Sequence, residues 1–122
     1  MPDSPKPKIS CRPRIRIKVG DQIALGPGKI DLLEAIAETG SISAAARAIG
    51  LSYRRAWDMV DIMNRCFKTP LVEREKGGRG GGGTKLTSLG NSTIKTYRQM
   101  EARALKASEP QWQSLKNSLK KP

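Results

Sequence analysis

SISAAARAIGLSYRRAWDMVDIMN, Ser41 to Asn64, carries two helical periodicities separated by one glycine. In the first, Ser41 is a good helix cap, Ile42, Ala45 and Ile49 face one way, and Gly50 stops the helix after about two turns. In the second, Ser52 is the cap and Ala56, Met59, Val60 and Met63 form an inward stripe with Trp57 at its edge. Tyr53, Arg54, Arg55, Asp58 and Asp61 are left on or beside the outer face. A short helix, a glycine-containing turn of about three to four residues and a polar-faced helix make a helix-turn-helix pattern. The alanines of the first helix let it lie close to another one.

C-terminal to this unit, Leu71–Glu75 alternates like a strand, and Thr84–Thr87 is its natural antiparallel mate. Six of the seven residues from Gly77 to Gly83 between them are glycine. This run could be a phosphate cradle, a linker or the tip of a hairpin. Gly78 and Gly83 have the separation of a Walker A motif, but Thr84-Lys85 reverses the required Lys-Ser/Thr order, and a strand follows where a helix is needed. As a linker it would divide two units, yet neither flank is long enough to form a core alone. As a wing it joins both flanks to the helices. Its near-bare backbone then brings Arg79 against a phosphate backbone or into a minor groove about 6 Å wide.

N-terminal to the unit, Lys29–Gly40 reads as a helix with Ile30, Leu33, Ile36 and Ala37 on one face, preceded by a turn at Ala24–Lys29. Arg14–Val19 alternates at period two as a half-buried strand with Ile15, Ile17 and Val19 inward, and it needs a mate from this chain or from a partner. Residues 1–13, with four of the eight prolines, read as a disordered basic arm. From Ser88 a long helix is predicted to about Ser108, spanning roughly 30 Å. That length for so small a domain predicts that part of it packs on a second copy. Residues 108–122 are a basic tail in which Trp112, Leu115 and Leu119 either line one face of a small helix or stay disordered. The fold class is therefore mainly α with a small β-hairpin, a winged helix-turn-helix over residues 14–107.

Lys and Arg number 23 against 11 Asp and Glu, a formal net charge of +12, with no histidine. Such a field favours a polyanionic partner, nucleic acid or an anionic membrane. The excess is uneven, residues 21–51 being the one block in which acid outnumbers base. The missing histidine removes the commonest general base and metal ligand, and Cys11 and Cys66 have no neighbouring base to activate them. No catalytic residue, metal site or cofactor is assigned. Asp58 and Asp61 are read as salt-bridge partners of Arg54 and Arg65. Two cysteines without CxxC spacing are read as reduced thiols of a cytoplasmic protein, and no segment has the length of a membrane span.

Function then rests on the basic helix. Ser52, Tyr53, Arg54 and Arg55 occupy the part of a second helix that enters the major groove, with an arginine able to make a bidentate contact to guanine. The wing candidates are Lys76, Gly77, Gly78, Arg79, Gly80, Gly81, Gly82, Gly83, Thr84 and Lys85. Ser41, Ser43, Gly50 and Trp57 are assigned to positioning the helix-turn-helix, Trp57 as a packing anchor. The partner predicted is double-stranded DNA. The alternatives are an architectural DNA-binding protein with little sequence preference, or an adaptor that uses the winged helix for protein contacts.

The stretches GSISAAARAIGLSYRRAWDMVDIMN (residues 40–64), LVERE (71–75) and GGRGGGGTKLTSLG (77–90) together resemble the N-terminal DNA-binding domain of the bacterial molybdate-responsive transcriptional regulators, relatives of the LysR-type winged helix-turn-helix domains. The resemblance covers residues 14–107. It implies a homodimer reading a palindromic operator, with the same recognition-helix and wing residues. The family's full-length members sense molybdate through β-barrel domains after this one. Only a lysine-rich stretch follows here, so molybdate binding is not expected in this chain. The chain reads either as a single-domain family member or as a piece of a longer one, and the ending KNSLKKP favours the first.

Overall fold

The computed structural model describes residues 7–75 and 83–121. Two strands, β1 (Ile17–Val19) and β2 (Gln22–Leu25), open the fold, followed by helices α1 (Pro27–Thr39), α2 (Ile42–Ile49) and α3 (Tyr53–Cys66). Strands β3 (Val72–Arg74) and β4 (Thr84–Leu86) come next, then the long helix α4 (Ser88–Ala107) and a short α5 (Glu109–Ser118). Among the described residues the fold is mainly helical with two antiparallel hairpins, β1–β2 and β3–β4. The sequence reading has one hairpin, and the reason for the second is local. Gly20 takes φ of 60°, and with Asp21 it forms a two-residue connection that returns the chain onto β1. The predicted turn at Ala24–Lys29 is thereby shortened: Ala24 and Leu25 are strand, and the helix starts at Pro27, where a missing N–H costs nothing. The mate that β1 needed thus comes from its own chain. Ile15 and Ile17 are half-buried as expected, but Val19, at the turn, is 54% exposed.

Helix α1 is the centre of the core. Ile30, Leu32, Leu33, Ala35 and Ile36 are all buried, whereas Ala37, predicted to face inward, is exposed. The buried arc is wider than a single stripe because α1 packs against α2, α3, α4 and β4 at once. Gly40 ends the helix with φ of 70° and donates its N–H to Ile36 O at 2.8 Å. Its own carbonyl accepts the N–H of Thr84 at 2.8 Å, which ties the β3–β4 hairpin to the α1–α2 corner.

Helix α4 is capped by Thr87, whose Oγ1 accepts the N–H of Gly90 at 3.0 Å. Its buried residues are Gly90, Thr93 and Tyr97, all in its first half, and Met100 beyond them is 38% exposed. Residues 109–118, which the sequence left between helix and disorder, are helical as α5, with Trp112 half-buried and Leu115 and Leu119 exposed.

Tyr97, only 1% exposed, donates its hydroxyl to the Ile15 carbonyl at 2.6 Å and so pins the N-terminal segment onto α4. Burial, then the nearby Glu101 carboxylate, raises the phenol above its ordinary value of 10.0. Tyr97→Phe is expected to cost about 1 kcal/mol in urea denaturation near neutrality, the net worth of one such bond. Because the folded pKa is raised, the native phenol stays protonated while the unfolded one ionises above pH 10. The wild-type advantage is present below that pH and lost as pH rises through the folded value. The two curves should therefore converge in alkali, and a gap that widens instead would refute the assigned bond.

Candidate nucleic-acid interface

The α2–α3 unit is held by its caps. Ser41 Oγ accepts the N–H of Ala44 at 3.1 Å and Ser52 Oγ accepts that of Arg55 at 3.0 Å. Gly50, with φ of 75°, and Leu51 send their N–H groups back to the Arg47 and Ala46 carbonyls at 3.3 and 2.8 Å. Ala45 and Ala56 have no exposed surface, and α2 packs against α3. The axis of α3 is therefore set by the Ala56, Met59, Val60 and Met63 stripe, all buried. Ser52, Tyr53, Arg54 and Arg55 stand on the exposed side of its first turn. Ser43 is half-buried and accepts a hydrogen bond from Arg47 at 3.2 Å, one turn on in α2.

Trp57 joins the helix-turn-helix to the hairpin. Tyr53 meets its ring edge-on at 6.3 Å and 88°. The Arg74 guanidinium lies over the same ring, 5.1 Å from its centroid. A cleft of about 480 Å3 opens beside this stack, lined by Ser41, Ser43, Tyr53, Trp57, Arg74 and Thr84 among others. At the hairpin base, a Cβ on Gly83 would stand 2.7 Å from the Gly40 carbonyl oxygen, so this glycine is required by close approach. Lys85 is partly neutralised, its ammonium 3.8 Å from Glu73, with both side chains about half exposed. Lys76 to Gly82, including Arg79, lie outside the described residues.

Three carboxylates of α1 and α4 converge on one arginine. Arg98 on α4 collects Asp31, Glu34 and Glu101, with Nη2 3.1 Å from Asp31, Nη1 2.8 Å from Glu101 and Nε 3.3 Å from Glu34. Hydrogen bonding to Glu34, then to Glu101, raises its pKa further above the ordinary arginine value. These acids are therefore occupied away from α3. Asp61 pairs with Arg65 at 3.2 Å as expected, but the predicted Arg54–Asp58 pair does not form among the described residues. Arg54 and Arg55 are left without a carboxylate partner there. Lys29, at the start of α1, adds to this cationic side: burial and then the charge of Arg55 lower its pKa.

Sequence reasoning missed three positioning residues. Asn64 accepts the N–H groups of Leu71 and Val72 at 2.9 and 3.3 Å and donates to the Val72 carbonyl at 3.0 Å, so its amide acts as a short third strand beside β3. Thr87 donates its hydroxyl to Pro70 O at 2.7 Å while capping α4. Gly90 lets α4 approach Leu71. A Thr–x–x–Gly pattern at a helix start was the available signal for the last two.

These elements define a winged helix-turn-helix DNA-binding module. Residues 28–91 match the family model described as bacterial regulatory helix-turn-helix protein, lysR family, and the chain belongs to that family. The family is one of DNA-binding regulators and not of enzymes. The chain is 50% identical over 78 residues to the molybdenum transport protein ModE of Azotobacter vinelandii, covering 64% of this chain and 29% of that protein. It is 42% identical over 83 residues to the DNA-binding transcriptional dual regulator ModE of Escherichia coli (strain K12), covering 68% of this chain and 32% of the other. The matched segment thus spans about a third or less of these relatives. The crystal structure of the CbnR_DBD–DNA complex has the same fold, with a TM-score of 0.55 at 19% identity over 72% of this chain and 95% of that one. No helix among the described residues is long and apolar enough to cross a membrane.

Proposed function

We propose that the protein is a transcriptional regulator that binds double-stranded DNA sequence-specifically, as a homodimer on a palindromic operator. The observation that carries this is the first turn of α3, where Tyr53, Arg54 and Arg55 stand exposed on a helix pinned at its N-terminus by Ser52 and Gly50. Arginine there has the reach and the planar fork for a guanine edge. The hairpin supplies backbone contact from Gly83, Thr84 and Lys85. Dimerisation is supported by α4, which has no fully buried residue beyond Tyr97 and leaves Met100 exposed. Two-fold symmetry would set the recognition helices about 34 Å apart, one turn of DNA.

The test is selection of bound duplexes from a random pool, expected to return a palindrome; a pool with no enriched motif would favour an architectural role. Light scattering is expected to give a dimer. On the selected duplex, Arg55→Ala should weaken binding by about 1 to 3 kcal/mol while changing affinity for a scrambled duplex far less. Equal losses on both would remove Arg55 from base reading. Molybdate response is not carried over, since the shared segment is the winged helix. Molybdate added to the assay is expected to leave affinity unchanged.

A further inference from the structure

Arg74 precedes the glycine loop and lies outside the recognition helix. On β3 it pairs across the strand with Thr84 and projects over Trp57. A guanidinium held over an aromatic ring by its charge can still offer N–H groups to a second, anionic partner. Among the described residues those N–H groups have no hydrogen-bond or ion-pair partner. Glu73 pairs with Lys85 instead. Glu75, a carboxylate of the same cleft, makes no ion pair with Arg74 among the described residues, and its Oε2 would lie 3.6 Å from a Cβ on Gly83. The Trp57 ring is itself held, half-buried on α3 and perpendicular to the Tyr53 ring. The result is a guanidinium over an indole ring, without an ion-pair partner among the described residues, in the lining of the cleft between the first turn of α3 and the hairpin base.

We propose that Arg74, laid on the Trp57 ring, clamps a phosphate of the DNA backbone where it passes between the recognition helix and the hairpin. This rests on the DNA-binding reading above and gives Trp57 a second task, as the platform that orients the clamp. A phosphate contact is independent of sequence and releases counterions, so its signature is in the salt dependence of binding and not in base preference.

The full chain would be titrated by anisotropy onto the selected duplex and a random duplex of about 30 bp, at KCl from about 50 to about 200 mM. Arg74→Gln is expected to weaken both complexes alike and to lower the slope of log K against log salt by about one, with an unchanged melting midpoint. Arg74→Lys, which keeps the charge without the planar fork, should keep the slope and lose part of the affinity. A wild-type slope and affinity in Arg74→Gln, or a loss confined to the selected duplex, overturns the clamp. A wild type that binds neither duplex overturns the DNA-binding reading itself.

Discussion

Gly90→Ala is expected to destabilise the domain by roughly 3 kcal/mol or more, against a helix-propensity gain of about 1 kcal/mol. A Cβ at this position would stand 2.2 Å from the Leu71 carbonyl oxygen and 3.2 Å from Leu86 Cβ. The carbonyl cannot simply withdraw, because it accepts the Thr87 N–H at 2.9 Å and the Thr87 hydroxyl at 3.3 Å. Moving it loosens the residue that caps α4, and a lost cap costs about 1 kcal/mol more. Backing α4 away instead would uncover Tyr97 and Leu71, both fully buried. Clash and propensity thus predict opposite signs, so thermal melting decides between them. For a domain of this size the midpoint should fall by about 12 °C or more. A midpoint that holds or rises would mean that α4 does not pack this closely on the β3 entry.

Asn64→Ala should cost about 3 kcal/mol, because one amide serves three backbone groups and leaves them unpaired when removed. Two of those groups belong to Val72, which enters β3 opposite Leu86, so the damage falls on the hairpin and not on the helix-turn-helix. Loss of that brace should also loosen the wing. Affinity for a random duplex is expected to fall on the order of tenfold, equivalent to about 1.4 kcal/mol, even at temperatures where the variant is folded. Asn64→Asp keeps both acceptor positions but turns a carboxylate oxygen toward the Val72 carbonyl, so it should fall between wild type and alanine in urea denaturation. An aspartate as stable as wild type would show that the donated bond contributes nothing. An alanine that melts early yet binds DNA normally would separate the brace from the interface.

The readings that held share one property: they depend on neighbours along the chain. The caps at Ser41 and Ser52, the stop at Gly50 and the inward stripe Ala56, Met59, Val60 and Met63 are all set within a few residues by helix geometry and by which backbone groups need partners. The hairpin around the glycine run was legible for the same reason, since its two strands alternate and pair in register. The misreadings arose where contacts come from several sides. Ala37 fits a single stripe on a helical wheel, but α1 is surrounded, so Leu32 and Ala35 are buried and Ala37 is not.

From the sequence alone came the winged helix-turn-helix, the exposed Tyr53, Arg54 and Arg55 and the cationic balance, because periodicity, capping and composition are local or additive. Only the tertiary structure decided which charges stay free. Arg98 gathers Asp31, Glu34 and Glu101 from two helices, whereas Arg74 lies over Trp57 with no ion pair among the described residues. Nothing in the chain order distinguishes these two arginines. Their difference is set by which helix packs against which, and it assigns one to holding the fold and leaves the other facing outward.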